Sequence, residues 1–413
     1  MASIPMSGTT NHLENKSFFA NATRVKRLSL SSLPAGGLRQ MGQYIFPSRS
    51  LLPNPKDPNI GATLQAVDAE YFRMLLGPKL RSLWLGQDAG GSELYLPYLP
   101  GVCPRLESLT TWSWPTDSEA QDIIARLPRL REFTVIQMKL PPLAKTHLSA
   151  STLRSLCLSG VSPQYWDLDS TSFPSLTHFT LEECPDLKSI VCFLRALPAT
   201  TLQDLTLDFP NSAPNIRLVN EAIEVISRFQ RLHELWLSGW DSDNFPDGQE
   251  IPRYNIEPLL CLRELRAVFI RLGGIGREVI DGIVKKIGTA WPQLNSFGFV
   301  QSWYRTMEPA GLTLEALGLF AAHCPRLTSL IIELDATMKP DTPKPAEVSQ
   351  AAIMLELKGS LIAESSWPWV AKYISAVHPN AQLSIDEDEK MDQGMIGYWK
   401  NVISVLPAMS GTK

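Results

Sequence analysis

Leu80-Arg81-Ser82-Leu83-Trp84-Leu85 is one copy of a phrase, apolar-x-x-apolar-x-apolar, that returns through nearly the whole chain. Clear copies begin at Leu106, Leu130, Leu153, Leu176, Leu202, Leu232, Leu262, Leu294 and Leu327. Weaker ones begin at Val25, at Arg49 within Phe46-Pro47-Ser48-Arg49-Ser50-Leu51-Leu52, at Ala352, and at Asn380 ahead of Leu383 and Ile385. Such a run is too short for a helix and alternates with a period of two, so each copy reads as a strand. In a strand the fourth and sixth positions face one side, while the third, fifth and seventh face the other.

The residues between copies read as helices. Thr116-Asp117-Ser118-Glu119 has the spacing of a capping box, and Ala120, Ile123, Ile124 and Leu127 then fall on one helical face. Ile190, Phe193, Leu194 and Leu197 form a similar face, as do Ile223, Ile226 and Phe229, and also Val279, Ile280, Ile283, Val284 and Ile287. Proline recurs just before the strand, in Cys103-Pro104, Leu127-Pro128, Phe173-Pro174, Trp291-Pro292 and Cys324-Pro325. It cannot continue a helix, and it holds the residue before it extended. The starts are about 23 to about 33 residues apart, overlapping the leucine-rich-repeat range. A strand-turn-helix unit of this size cannot bury its apolar face alone, so units stack and share a core. The expected fold is therefore an α/β leucine-rich-repeat solenoid, with a curved parallel sheet inside and helices outside.

Composition agrees with a folded chain and narrows its partners. Of 413 residues, 44% are hydrophobic and 19% charged, enough apolar material for an extended core. The formal net charge of -4 offers no basic field for phosphate backbones, so nucleic acid is not expected as a partner. No apolar run is long enough to span a bilayer, and residues 1–18 lack the apolar core of a secretory signal. Six scattered cysteines without a CxxC pair suit a reducing compartment. A cytoplasmic or nuclear protein with no membrane partner is the expectation.

The irregular Leu-x-x-Leu-x-Leu units, Cys-Pro-Arg-Leu at Cys103–Leu106 and Cys324–Leu327, and Phe46-Pro47 with Leu51 near the start resemble the repeat part of fungal F-box proteins. His378-Pro379-Asn380-Ala381 before a short strand, then an acidic stretch and Tyr398-Trp399-Lys400-Asn401-Val402, add to that resemblance. It implies a substrate-recognition subunit of a cullin-RING ubiquitin ligase, in which the F-box docks the ligase adaptor and the repeats hold a substrate. The Leu-Pro-x-Glu-like phrase that opens an F-box does not occur in this sequence, so the adaptor is a partner only if an F-box lies upstream. The alternative is a stand-alone repeat protein, an interaction or inhibitor module with no ligase role.

The expected organisation is a disordered tail over 1–20, irregular repeats over 21–385, and an acidic C-terminal tail with a short helix over 386–413. Loop insertions are expected near 54–69, 238–257 and 335–349. Chemistry is sparse. No phosphate-loop, nucleophile-elbow or zinc-protease motif is present, and Leu272-Gly273-Gly274-Ile275-Gly276 reads as a turn rather than a dinucleotide loop. His178 and Cys157 fall at outward positions of successive strands, but two ligands do not close a zinc site. The cysteines of the Cys-Pro pairs are expected to pack as small apolar residues at the helix-to-strand corner. No catalytic residues, cofactor or metal are expected.

What remains is the outward face of the sheet. Its third, fifth and seventh positions carry far more acids than bases, and three of them are tryptophans. The candidate partner-binding residues are Trp84, Trp112, Glu132, His178, Glu182, Asp204, Asp208, Glu234, Trp236, Glu264 and Arg266. An acidic face with aromatic anchors suits a protein partner presenting a basic segment.

Overall fold

The computed structural model describes residues 27–29, 57–60, 72, 75–85, 96–112, 123, 126–136, 152–160, 173–184, 186–209, 215–239, 254–272, 281–300, 311–340, 349, 351–385 and 393–410. The chain divides into two compact units, Met1–Leu176 and Thr177–Lys413.

The first unit carries six strands: β1 (Arg27–Ser29), β2 (Asp57–Ile60), β3 (Ser82–Leu85), β4 (Ser108–Thr111), β5 (Glu132–Ile136) and β6 (Ser155–Ser159). From β1 to β6, consecutive strands pair in parallel. A helical turn over Leu96–Tyr98 runs into α1 (Leu99–Val102) between β3 and β4. The described part of the stretch between β4 and β5 includes Ile123 and Leu127, both buried, while the proposed capping box lies outside the described residues.

The second unit carries eight strands in the same parallel, sequential order: β7 (His178–Glu182), β8 (Asp204–Phe209), β9 (Glu234–Gly239), β10 (Ala267–Leu272), β11 (Ser296–Val300), β12 (Ser329–Ile332), β13 (Ile353–Leu357) and β14 (Ala381–Ile385). Its helices are α2 (Leu187–Ala196), α3 (Ile216–Ile226), α4 (Asp281–Ala290), α5 (Glu315–His323), α6 (Trp367–Val377) and α7 (Gln393–Ser410). Asp186 opens α2 by accepting the N–H groups of Lys188 and Ser189 at 3.0 and 3.3 Å. Asn215 does the same for Leu218 at the start of α3, at 3.4 Å. Both satisfy donors that the first helical turn leaves unpaired.

Strands one repeat apart and helices between them, all in chain order, make this an α/β leucine-rich-repeat solenoid. A recurring turn sets the repeat. The N–H of its first apolar residue donates to the carbonyl three residues back: Leu80 to Gly77, Leu106 to Cys103, Leu130 to Leu127, Leu176 to Phe173, Leu232 to Phe229, Leu294 to Trp291 and Leu327 to Cys324, all at 3.0–3.2 Å. The fourth and sixth positions then point into the core, as Leu83 and Leu85, Phe133 and Val135, Leu205 and Leu207, and Leu235 and Leu237 do at 0 or 1% exposure. Each such apolar side chain contributes about 1.5–3 kcal/mol over leaving it in water. Phe179 of β7 stacks on Phe193 of α2, and Phe297 of β11 packs on Phe320 of α5, so helices cover this face of the strands.

Some boundaries differ from the sequence reading. A strand lies at Asp57–Ile60, inside the stretch expected to be an insertion, while the Arg49 phrase lies outside the described residues. Pro55 and Pro58 argue against a strand there in sequence, because proline gives no donor to the ladder. The register of β10 differs as well. Val268 pairs with Leu235 and Phe297, so the repeat opens at Leu265 and not at Leu262.

Asp335, expected in a loop, bridges in parallel to Thr313 and Leu361, and Ala336 beside it is fully buried. The C-terminal helix is 18 residues long, and Ile396, Trp399, Val402 and Leu406 are buried along one side of it. It packs against α6 and β14. Residues 1–20, 240–253, 341–348 and 386–392 lie outside the described residues.

Candidate functional site

With one face of the sheet under helices, the third, fifth and seventh positions of each repeat form an open face. In the first unit Trp84 lies on β3 in register with Asn59 and Thr110, and it is half-buried. Trp112 follows β4 and is also half-buried. Its Nε1–H is enclosed without an acceptor among the described residues. Glu132 is exposed at the start of β5, between Ser108 and Ser155. These tryptophans therefore cover the sheet more than they project from it.

The open face of the second unit is richer, and parallel pairing sets it out in three rows. The first runs His178, Asp204, Glu234, Ala267, Ser296, Ser329, Met354. The second runs Thr180, Thr206, Trp236, Phe269, Gly298, Ile331, Glu356. In the third, Asp208, Ser238, Arg271 and Val300 are in register, and Glu182 ends β7 on the same side.

The first row is polar at its β7 end. His178 Nε2 lies 2.6 Å from Asp204 Oδ2, and its Nδ1 lies 2.7 Å from Thr177 Oγ1. In the third row Ser238 Oγ donates to Asp208 Oδ1 at 2.9 Å. Partial burial raises the pKa of the Glu182 carboxyl, and the negative charges of Asp208 and Glu183 push it in the same direction.

The second row holds an aromatic group. Trp236, 48% exposed, stacks on Phe269 with ring centroids 4.1 Å apart and planes at 27°. The Phe269 ring in turn lies over Gly298, where an added Cβ would collide with it. Glycine at this position leaves room for the ring, so β11 forms the bed on which the stack rests.

Glu264 and Arg266, expected on the open face, are not there. Arg266 precedes β10, its carbonyl accepting the N–H groups of Asn295 and Ser296 at 2.8 and 3.1 Å, as the His233 carbonyl accepts those of Arg266 and Ala267. Glu264 lies two residues further back and contacts His233 Nε2 at 3.3 Å. Leu262-Arg263-Glu264-Leu265-Arg266-Ala267 and Leu265-Arg266-Ala267-Val268-Phe269-Ile270 both satisfy the repeat phrase. The fold selects the second because it buries Val268, Ile270 and Leu272. The sequence reading thereby missed Phe269 and Arg271, although strict alternation from Ala267 to Leu272 marks them as outward. Gly298, Ile331 and Met354 also fall at outward positions, and Met354 is 61% exposed.

Among the described residues no group of three His, Cys, Asp or Glu side chains comes together to hold a metal. Cys103, Cys184 and Cys324 are buried, and burial pushes their thiols up to about 12, 11 and 12. Such thiols pack as apolar groups rather than act as nucleophiles. No helix among the described residues is long and apolar enough to cross a membrane.

No protein-family model and no curated protein matches the sequence. Among solved structures the chain is similar to an internalin of Listeria monocytogenes, at 12% identity over 87% of this chain and 95% of that one, with a TM-score of 0.39. It is also similar to a structure of the Rad7 and Elc1 complex of yeast, at 13% identity, 92% and 94% coverage and a TM-score of 0.44. A leucine-rich-repeat protein of Leptospira interrogans matches at 14% identity, 92% and 100% coverage and a TM-score of 0.40. The fold assignment stands on the strand order and register described above.

Proposed function

We propose that the chain is a non-catalytic protein-binding scaffold and that the open face of its second unit receives a basic segment of the partner. The observation that carries this reading is Trp236, a large aromatic side chain standing half out of a sheet face, with Glu234 on its own strand, Asp204 and Asp208 on the adjacent β8, and Glu182 one strand further on β7. Aromatic side chains anchor interfaces by burying apolar area at low entropic cost, and surrounding charge of one sign selects and steers a partner of the other. Trp84, Trp112 and Glu132 are, by themselves, the candidate partner contacts of the first unit's own open face.

The test is charge reversal. Asp204→Lys, Asp208→Lys and Glu234→Lys in one variant should abolish capture of the partner recovered with the wild-type chain, as read by affinity purification and quantitative mass spectrometry. Undiminished capture by the variant would sink the reading.

A second, narrower reading follows from the sequence phrases shared with F-box repeat proteins: the scaffold presents a ubiquitin-ligase substrate. Recovery of a cullin-ligase adaptor in the same purification supports it. A stable partner without the adaptor, from a chain extended to any upstream exon, favours the stand-alone interaction protein.

A further inference from the structure

Phe269 covers one face of the Trp236 indole from the β10 side. The opposite face is turned toward β8, where the residue in register is Thr206, with Thr180 beyond it on β7. Both threonines are small and half-buried, so the sheet is low there and the indole stands beside it as a wall.

Along β8 the outward residues on either side of Thr206 are Asp204 and Asp208. Two residues of strand place each about 6.6 Å from Thr206 along the chain. Glu234 adds a carboxylate beside Asp204, and Glu182 adds one on the Asp208 side. His178 engages one oxygen of Asp204, and Ser238 engages one oxygen of Asp208, so each carboxylate keeps a second oxygen for a guest. In the third row the nearest cation is Arg271, two strands from Asp208.

This is a notch with an aromatic wall, a small polar floor and carboxylates at both ends. We infer that it takes the side chain of an arginine from the bound segment, stacked flat on Trp236 above Thr206, with its guanidinium held by Asp204 and Asp208. The inference rests on the protein-binding reading above and sharpens it to one side chain. Arginine fits better than lysine because its planar guanidinium stacks on an indole and offers donors along two edges at once, while the lysine ammonium is a strongly hydrated point charge. A neutral apolar side chain could use the wall but would leave the carboxylates desolvated and unpaired.

The experiment uses the full chain and fluorescein-labelled hexa-arginine, with hexalysine as comparison, by fluorescence anisotropy at low salt. Hexa-arginine should bind several-fold more tightly than hexalysine. Trp236→Leu, which still covers Phe269 but has no π face, should weaken hexa-arginine binding about tenfold. Trp236→Phe, which keeps a ring, should stay within about threefold of the wild type and so exclude misfolding as the cause.

Absence of hexa-arginine binding to the wild-type chain would overturn the inference, as would binding that Trp236→Leu leaves unchanged. The charge-reversed triple variant separates this failure from that of the parent reading. If it loses the partner while Trp236→Leu loses nothing, the acidic face stands and the arginine notch falls. If it keeps the partner, the acidic face falls too.

Discussion

Single residues carry two consequences that can be measured. His378 is 3% exposed, with Nε2 3.2 Å from the Leu317 carbonyl, so Nε2 carries the proton and Nδ1 is the bare nitrogen. That Nδ1 is buried without a donor among the described residues. Burial lowers the pKa of the imidazole below the usual 6.5, and the Leu317 carbonyl offsets only part of that shift. The folded state therefore binds the proton more weakly than the unfolded chain does. Stability is full above about pH 6.5 and falls as pH drops through 6.5 toward the folded-state value. Melting temperatures between pH 8 and pH 5 should decline on the acid side, and His378→Phe should remove part of that decline. Gly298→Ala, in turn, should push the Phe269 ring aside and unstack Trp236, at a cost of about 1 kcal/mol in denaturant unfolding, since the colliding atoms belong to a side chain on the open face.

Among the elements, α7 is the one that the sequence understates. Trp399 is fully buried and donates from Nε1 to the Ser360 carbonyl at 2.8 Å, while Ser360 Oγ, itself buried, accepts the Leu334 N–H at 2.9 Å. The helix thus covers the last strands through an indole that both fills space and satisfies a buried carbonyl. Trp399→Ala should destabilise the chain by about 3–5 kcal/mol and Trp399→Phe by about 1 kcal/mol, read as shifts of the urea midpoint. A dispensable tail would show neither. The register of β10 is likewise settled by an element rather than a residue: β9 and β11 align on Val268, and only that alignment puts three apolar side chains into the core.

At the scale of the whole molecule, charge is sorted more than it is abundant. The net charge is only -4, yet the turns leading into the strands expose Arg105, Arg129, Arg131 and Arg154 in the first unit and Arg231, Arg266 and Arg326 in the second. Acids instead gather on the open strand face, at Glu182, Asp204, Asp208 and Glu234 in the second unit. A partner held by that face should therefore bind in a salt-dependent way. Raising NaCl from about 0.05 M to about 0.5 M should weaken hexa-arginine binding by about tenfold or more, because exposed charges are screened within a few ångströms at the higher salt. Affinity that ignores salt would point to apolar contacts around Trp236 and Met354 in place of the carboxylates.

The repeat phrase by itself determined the fold class, because a period of two inside a longer strand-helix period admits few other ways to bury so many leucines. It also determined most of the open face, since alternation in a strand leaves no freedom over which side chains look outward once the first residue of the repeat is known. Only the tertiary structure decided that first residue where two phrases overlap, as at Leu262 and Leu265, or where prolines disguise a strand, as at Asp57–Ile60. Neighbouring strands impose the register there, and that is a long-range constraint. Tertiary structure alone also separated Trp236, stacked and half exposed, from the more enclosed Trp84 and Trp112, because how far an outward side chain projects depends on its cross-strand neighbours rather than on its place in the phrase.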